Sequence, residues 1–156
     1  MGKPLIIESA SELFEMAERD IMNVDSLISN PKYPVDLMYN IIFFHVTQAV
    51  EKFLKGFIVY NGKPVEKVHE LDTLLKIAIE IDVSFNDIID NCLLLNKLLP
   101  NIKYSSKKVI TKQDMNETIK SFLAICNFMP IKILRDTFSK EHNYEIVKEI
   151  IAKPIR

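Results

Sequence analysis

The chain has 156 residues, 48% of them hydrophobic and 26% charged, which is the composition of one globular domain and excludes a disordered chain. Its formal net charge of −1 excludes a uniformly basic surface, so contact with a nucleotide or an RNA would need a local patch. No apolar run approaches the length of a membrane span and no signal peptide is recognisable, which predicts a cytoplasmic protein without membrane contact. Cys92 and Cys126 lie in apolar helical patterns and are predicted to be buried free thiols.

Apolar residues at helical spacing predict two long helices in the first part of the chain. The first is expected to begin after Ser9 or Ser11 and to end by Pro31, because proline cannot continue a helix at that point. The second is predicted over residues 34–60, with a proline at its first position and an Asn-Gly pair as its stop signal.

Three further helices follow, and a polar, lysine-rich connection over residues 101–111 separates the last two. Pro130 is expected to break or kink the last of them. The predicted helices are His69–Ile81, Ser84–Leu99 and Lys112–Met129.

These elements predict an all-α fold: an antiparallel up-and-down bundle of four to five helices with a short helical C-terminal extension. Residues 1–130 would form the bundle. Residues 131–156 would form the extension, packed on the same domain, with short helical pieces over 131–138 and 144–152.

The second helix carries the most informative pattern of the chain. Its apolar residues gather on one broad face, as in any amphipathic helix. The opposite side carries a stripe that combines an imidazole, an amide, a carboxylate and two ammonium groups. The stripe consists of His45, Gln48, Glu51, Lys52 and Lys55.

Three segments together resemble the HEPN (higher eukaryotes and prokaryotes nucleotide-binding) domain family. The first is Ala-Glu-Arg-Asp-Ile at residues 17–21, and the second runs from Phe-His at residues 44–45 through the stripe to Lys55. The third is Lys-Val-His-Glu-Leu-Asp-Thr-Leu-Leu at residues 67–75. The resemblance covers roughly residues 13–129, and it lies in the order and spacing of the segments.

The resemblance implies a helical bundle that is frequently a homodimer and has a cleft associated with nucleotides or RNA. Many members act in stress, defence or toxin–antitoxin systems, often beside a small nucleotidyltransferase. Our first hypothesis is therefore a binding module that contacts a nucleotide, an RNA phosphate or such a partner. Its site would comprise the stripe (His45, Gln48, Glu51, Lys52 and Lys55) together with His69, Lys103 and Tyr104.

A second hypothesis follows from the branch of the family that comprises metal-independent ribonucleases. These pair an arginine with a histidine a few residues later, the arginine holding phosphate and the histidine transferring a proton. In this chain the pattern fits only Arg135 and His142, which lie beyond Pro130. The chain also departs from the family where relatives show Arg-Tyr-Pro, because it has Lys103 followed by Tyr104 and a serine.

Simpler interpretations stay open beside both hypotheses. The stripe is also typical of a solvated helix face with an ordinary Glu51–Lys55 pair, and His69 is also typical of a residue that opens a helix. A third hypothesis is an assembly module that binds no small molecule. The three histidines are far apart and no metal-binding motif is present, so neither a metal nor a cofactor is predicted.

Overall fold

The computed structural model describes residues 6–29, 32, 38–65, 68–103 and 110–133. These residues form five α-helices and one 3₁₀ helix, and no strand occurs among them, so the predicted all-α fold is confirmed. The helices are α1 (Ile6–Ser29), α2 (Tyr39–Tyr60), α3 (Leu71–Ile81), α4 (Ile89–Lys103) and α5 (Lys112–Ile133), with the 3₁₀ helix at Val83–Ile88.

Helices α1 and α2 form the most extensive helix pair of the bundle. The buried face of α1 repeats every three or four residues, which is the spacing of one helical stripe. The helix axes approach closely at Gly56, where a Cβ atom would overlap the ring of Phe14. Glycine is therefore needed here for packing. The residues of the α1 face are Ala10, Phe14, Ala17, Ile21, Val24 and Ile28.

The end of α2 agrees with the predicted stop signal. The Asn61 side-chain Nδ2 donates to the Phe57 carbonyl at 2.8 Å, and the Gly62 N–H donates to the Val59 carbonyl at 2.9 Å. Gly62 has φ of 81°, a left-handed conformation that favours glycine. The chain then turns back so that α3 packs on α2.

Aromatic rings join the second half of the bundle to α2. Phe85 of the 3₁₀ helix lies between Phe57 and Phe128, with ring centroids 4.5 Å and 4.9 Å away. Cys92 and Cys126 are buried free thiols, as predicted. Burial raises the pKa of Cys92 from 9.0 to about 12, and it raises the pKa of Cys126 still further.

Several predicted helix boundaries were wrong. The structure begins α1 at Ile6 and α3 at Leu71, and residues 33–37 at the predicted start of α2 lie outside the described residues. The predicted helix Ser84–Leu99 begins as 3₁₀, and the Asp82 carboxylate caps this segment by accepting from the Ser84 N–H at 2.9 Å.

Pro130, which was expected to break or kink the last helix, lies within α5, and α4 likewise continues past Pro100, beyond its predicted end at Leu99. A proline removes its own N–H bond, and only three residues follow each of these prolines before the helix ends. The boundary proposed at residue 130 and the extension stay predictions, because residues 134–156 lie outside the described residues.

The start of α5 is fixed by a reciprocal cap. The Asp114 N–H donates to the Thr111 hydroxyl at 3.0 Å, and the Thr111 N–H donates to the Asp114 carboxylate at 3.1 Å. This pairing satisfies main-chain donors that a helix start otherwise leaves unbonded. It explains why the helix begins at Lys112 as predicted.

Candidate polar site on the second helix

The polar stripe of α2 is half-buried and does not lie open to solvent. The polar ends of its side chains are satisfied by other side chains of the same molecule, and they divide into two groups. We call these the Asp20 cluster (Asp20, His45, Gln48 and Lys52) and the His69 cluster (Glu51, Lys55 and His69).

In the Asp20 cluster, a single carboxylate of α1 accepts from two side chains of α2. The Asp20 Oδ1 lies 2.9 Å from His45 Nδ1, and its Oδ2 lies 3.1 Å from Lys52 Nζ. Lys52 also donates to the Gln48 side-chain oxygen at 3.0 Å. Because a carboxylate at neutral pH only accepts, His45 Nδ1 carries a hydrogen and donates it.

The burial of these groups makes the Asp20 cluster a structural contact between helices. The side chain of Asp20 is 12% exposed and that of Lys52 is 15% exposed. A charge pair in such a position needs both partners, because a lone charge left there would be poorly solvated. The cluster therefore fixes the register of α1 against α2 at the middle of both helices.

Asp20 was missed as a site residue by the sequence analysis, which used it only as part of the first family segment. The sequence did contain a signal that Asp20 is partly buried, because Asp20 lies beside buried Ile21 and three residues after buried Ala17. An acidic residue at the edge of a buried stripe is expected to have a partner on the helix it faces.

The His69 cluster joins α2 to the residues just before α3. Lys55 Nζ lies 2.9 Å from Glu51 Oε2 and also 2.9 Å from His69 Nδ1. The third side of this triangle is 3.3 Å, between His69 Nδ1 and Glu51 Oε2. Glu51 and Lys55 are both largely buried, whereas the His69 side chain is 68% exposed.

The edge of His69 that carries Nε2 faces away from this triangle. Within the described part of the chain no hydrogen bond to Nε2 is found, and the ring is anchored at Nδ1. An imidazole can donate, accept or carry charge, which makes it a versatile contact for a phosphate or a hydroxyl.

The remaining predicted site residues are not brought into these clusters by the described residues. Lys103 is the last residue of α4, and nothing of its side chain is described. Tyr104, Arg135 and His142 lie outside the described residues, so the ribonuclease pair stays a prediction.

Two apolar side chains lie at the amino-terminal end of the same α2 face. Phe44 is 52% exposed, and Ile41 is also exposed. The Phe44 ring meets the His45 ring edge to face, with centroids 5.3 Å apart. The face thus changes from apolar at its start to ionic further along.

No group of three potential metal ligands occurs among the described residues. Among the helices of that same part of the chain, none is long and apolar enough to cross a membrane.

The fold and this face define a class of protein: an all-helical bundle whose long second helix carries a row of paired polar side chains. Comparison with protein-family models gives a match to the HEPN domain over residues 10–134. The chain belongs to the HEPN domain family, and at the level of that family it is a nucleotide- or RNA-related module. The comparison with curated proteins gave no match, and the comparison with solved structures gave none either.

Proposed function

We propose that this chain is a HEPN binding module that contacts the phosphate of a nucleotide or an RNA at the His69 cluster. The observation that carries the proposal is the exposed His69 ring. Its Nδ1 lies 2.9 Å from the Lys55 ammonium, which leaves Nε2 available to a ligand. In this proposal Lys55 supplies positive charge, His69 supplies a directional hydrogen bond and Glu51 orients both.

The Asp20 cluster has a different role in this proposal. Lys52 is neutralised by Asp20, and two of its three donors are used by Asp20 and Gln48. Unlike His69, whose side chain is 68% exposed, the His45 side chain is only 22% exposed, so this cluster offers no open ring to an incoming phosphate. We therefore assign His45, Gln48 and Lys52 to holding α1 against α2, beside the ligand and not in direct contact with it.

Isothermal titration calorimetry with a mononucleotide and with a short RNA tests the proposal. We expect binding by the wild type and at least a tenfold loss of affinity in both His69→Ala and Lys55→Ala. Lys120→Ala is the matched control, because it removes an exposed lysine of α5, and it should bind like the wild type. Absence of heat with every ligand would remove the binding proposal.

A second candidate function, assembly, is favoured by the apolar start of the α2 face. We propose that Ile41 and Phe44 lie in an interface, either of a homodimer or with a partner nucleotidyltransferase. The adjacent charges favour this use, because each charge is paired within the chain and would not be left alone on burial.

Sedimentation equilibrium separates the two forms of this candidate. A homodimer that dissociates in Phe44→Ser, but not in Leu93→Ser, would place the interface on this face. Leu93 is a matched control on α4, because it is 48% exposed against 52% for Phe44. A monomeric wild type would remove the homodimer and leave a different protein as the partner.

A further inference from the structure

The His69 cluster contains a conflict between two hydrogen bonds that share one nitrogen. His69 Nδ1 lies 2.9 Å from the Lys55 ammonium, which only donates, and 3.3 Å from the Glu51 carboxylate, which only accepts. One ring nitrogen cannot accept from the first and donate to the second at the same time. The cluster therefore has two hydrogen-bonding states, and they differ in where the ring proton lies.

We infer that phosphate binding at His69 switches this cluster from its Lys55-bonded state to its Glu51-bonded state, with uptake of one proton by the ring. This inference rests on the proposed function, because it specifies how the same site receives its ligand. In the free protein Lys55 donates to Nδ1, so the neutral ring carries its proton on Nε2. In the complex the ring is an imidazolium that donates from Nδ1 to Glu51 and from Nε2 to phosphate.

The distances favour the Lys55-bonded state in the free protein, because the ammonium contact is the shorter of the two. A bound phosphate reverses this preference, since a nearby negative charge stabilises the charged form of the ring. The additional proton comes from solvent, and the flexible Lys55 stem lets the ammonium keep its 2.9 Å contact with Glu51.

Within the described part of the chain, the charged groups around His69 come from α2 and from the start of α3. Glu51 and Lys55 face the ring from α2. At the start of α3, Glu70 accepts from the Thr73 hydroxyl at 3.4 Å, and Asp72 accepts from the Thr73 N–H at 2.9 Å. Among the described residues, Glu51 and Lys55 are therefore the charged groups that bond to the ring.

Long-range ¹H–¹⁵N spectra of the histidine rings test the free state, with His69→Gln used to assign the signal. At pH 8 we expect the Nε2-protonated tautomer in the wild type. Lys55→Met removes the donor to Nδ1 and should shift the ring toward the Nδ1-protonated tautomer, whereas Lys120→Met should change nothing. An Nδ1-protonated ring in the wild type, or no shift in Lys55→Met, would overturn the inference without reference to any ligand.

Calorimetry with adenosine monophosphate in two buffers of different ionisation enthalpy tests the bound state. Near pH 7.5 we expect net uptake approaching one proton per phosphate in the wild type, and no uptake in His69→Gln. Binding without proton uptake would overturn the switch and leave the proposed function intact. If no phosphate compound binds, both the proposed function and the proposed switch fail. The ring spectra would still show which tautomer His69 adopts in the free protein.

Discussion

His45 and His69 both place Nδ1 beside a carboxylate, but the two rings are held in different ways. Among the residues that the structure describes, His45 has one side-chain hydrogen-bond partner, Asp20, so its Nδ1 is a donor. His69 has two partners that demand opposite roles of the same nitrogen. The first arrangement specifies one structure, and the second leaves a choice that a ligand can make.

The exposure of the two rings follows the same division, since the His45 side chain is 22% exposed and that of His69 is 68% exposed. The Asp20 cluster lies between α1 and α2, and its cations are paired with the Asp20 carboxylate, which is the usual condition for charges that stabilise a fold. The His69 cluster lies at the end of a loop, where the ring remains exposed. In our proposal, similar residue types on one helix therefore have separate roles, one in stability and one in recognition.

Removal of Asp20 should have the largest effect. We expect Asp20→Ala to lower the free energy of unfolding by about 2–3 kcal/mol, somewhat less than for a fully buried pair, because Lys52 and His45 lose their common acceptor. Urea denaturation followed by circular dichroism measures this. Glu15→Ala is the control, since Glu15 is an exposed acid of the same helix and should cost less than about 0.5 kcal/mol. Equal stabilities of the two variants would contradict the structural role of the Asp20 cluster.

Gly56→Ala tests whether the α1–α2 contact can be disturbed without touching a charge. The new Cβ overlaps the Phe14 ring, and we expect a loss of about 1–3 kcal/mol from overpacking. A double variant with Phe14→Leu should recover part of this loss, which urea denaturation also measures. An unchanged stability would show that the helices separate there at no cost.

Glu51→Gln should have a smaller effect on stability, at most about 1 kcal/mol, because glutamine keeps a side-chain oxygen that can accept the hydrogen bond of Lys55. Its main effect should be on His69, which loses its charged acceptor and so should take up less than one proton on phosphate binding. The combination of near-native stability and reduced proton uptake distinguishes this variant from Asp20→Ala. A loss of stability as large as that of Asp20→Ala would contradict the separation of roles.

The two cysteines give the least disruptive test, because they report opening of the bundle without a substitution. Burial raises the pKa of Cys92 to about 12, so the folded thiol should react with a thiol reagent at pH 8 only when the bundle opens. Labelling should be fast in Asp20→Ala and slow in Glu51→Gln. Rapid labelling of the folded wild type would contradict burial of both thiols.

The same shift predicts alkaline destabilisation of the wild type. The pKa of Cys92 in the folded protein lies above its unfolded value of 9.0. Burial of the neutral Cys92 thiol therefore stabilises the fold fully below pH 9, and this contribution is lost as pH rises from 9 toward 12. Cys92→Ala should reduce this part of the pH dependence in urea denaturation.

Much of the fold could be predicted from the sequence, because α2 has a strong apolar periodicity and ends at an Asn-Gly pair. The family was recognised from the same residues and is confirmed by the family match. The Asp20 contacts could not be predicted, because they join residues 25 and 32 positions apart. Periodicity shows which side of a helix faces outward, but not which residue of a neighbouring helix lies opposite.

The connection between α2 and α3 has a consequence for how this family member can diverge. It spans residues 61–70, and the left-handed Gly62 starts its return toward the helix that it has just left. The length of this connection sets which turn of α2 His69 meets, so a single insertion or deletion would move the imidazole along the helix. Relatives with loops of other lengths would then present the same ring to other neighbours, and their ligand preferences could differ without any substitution in α2.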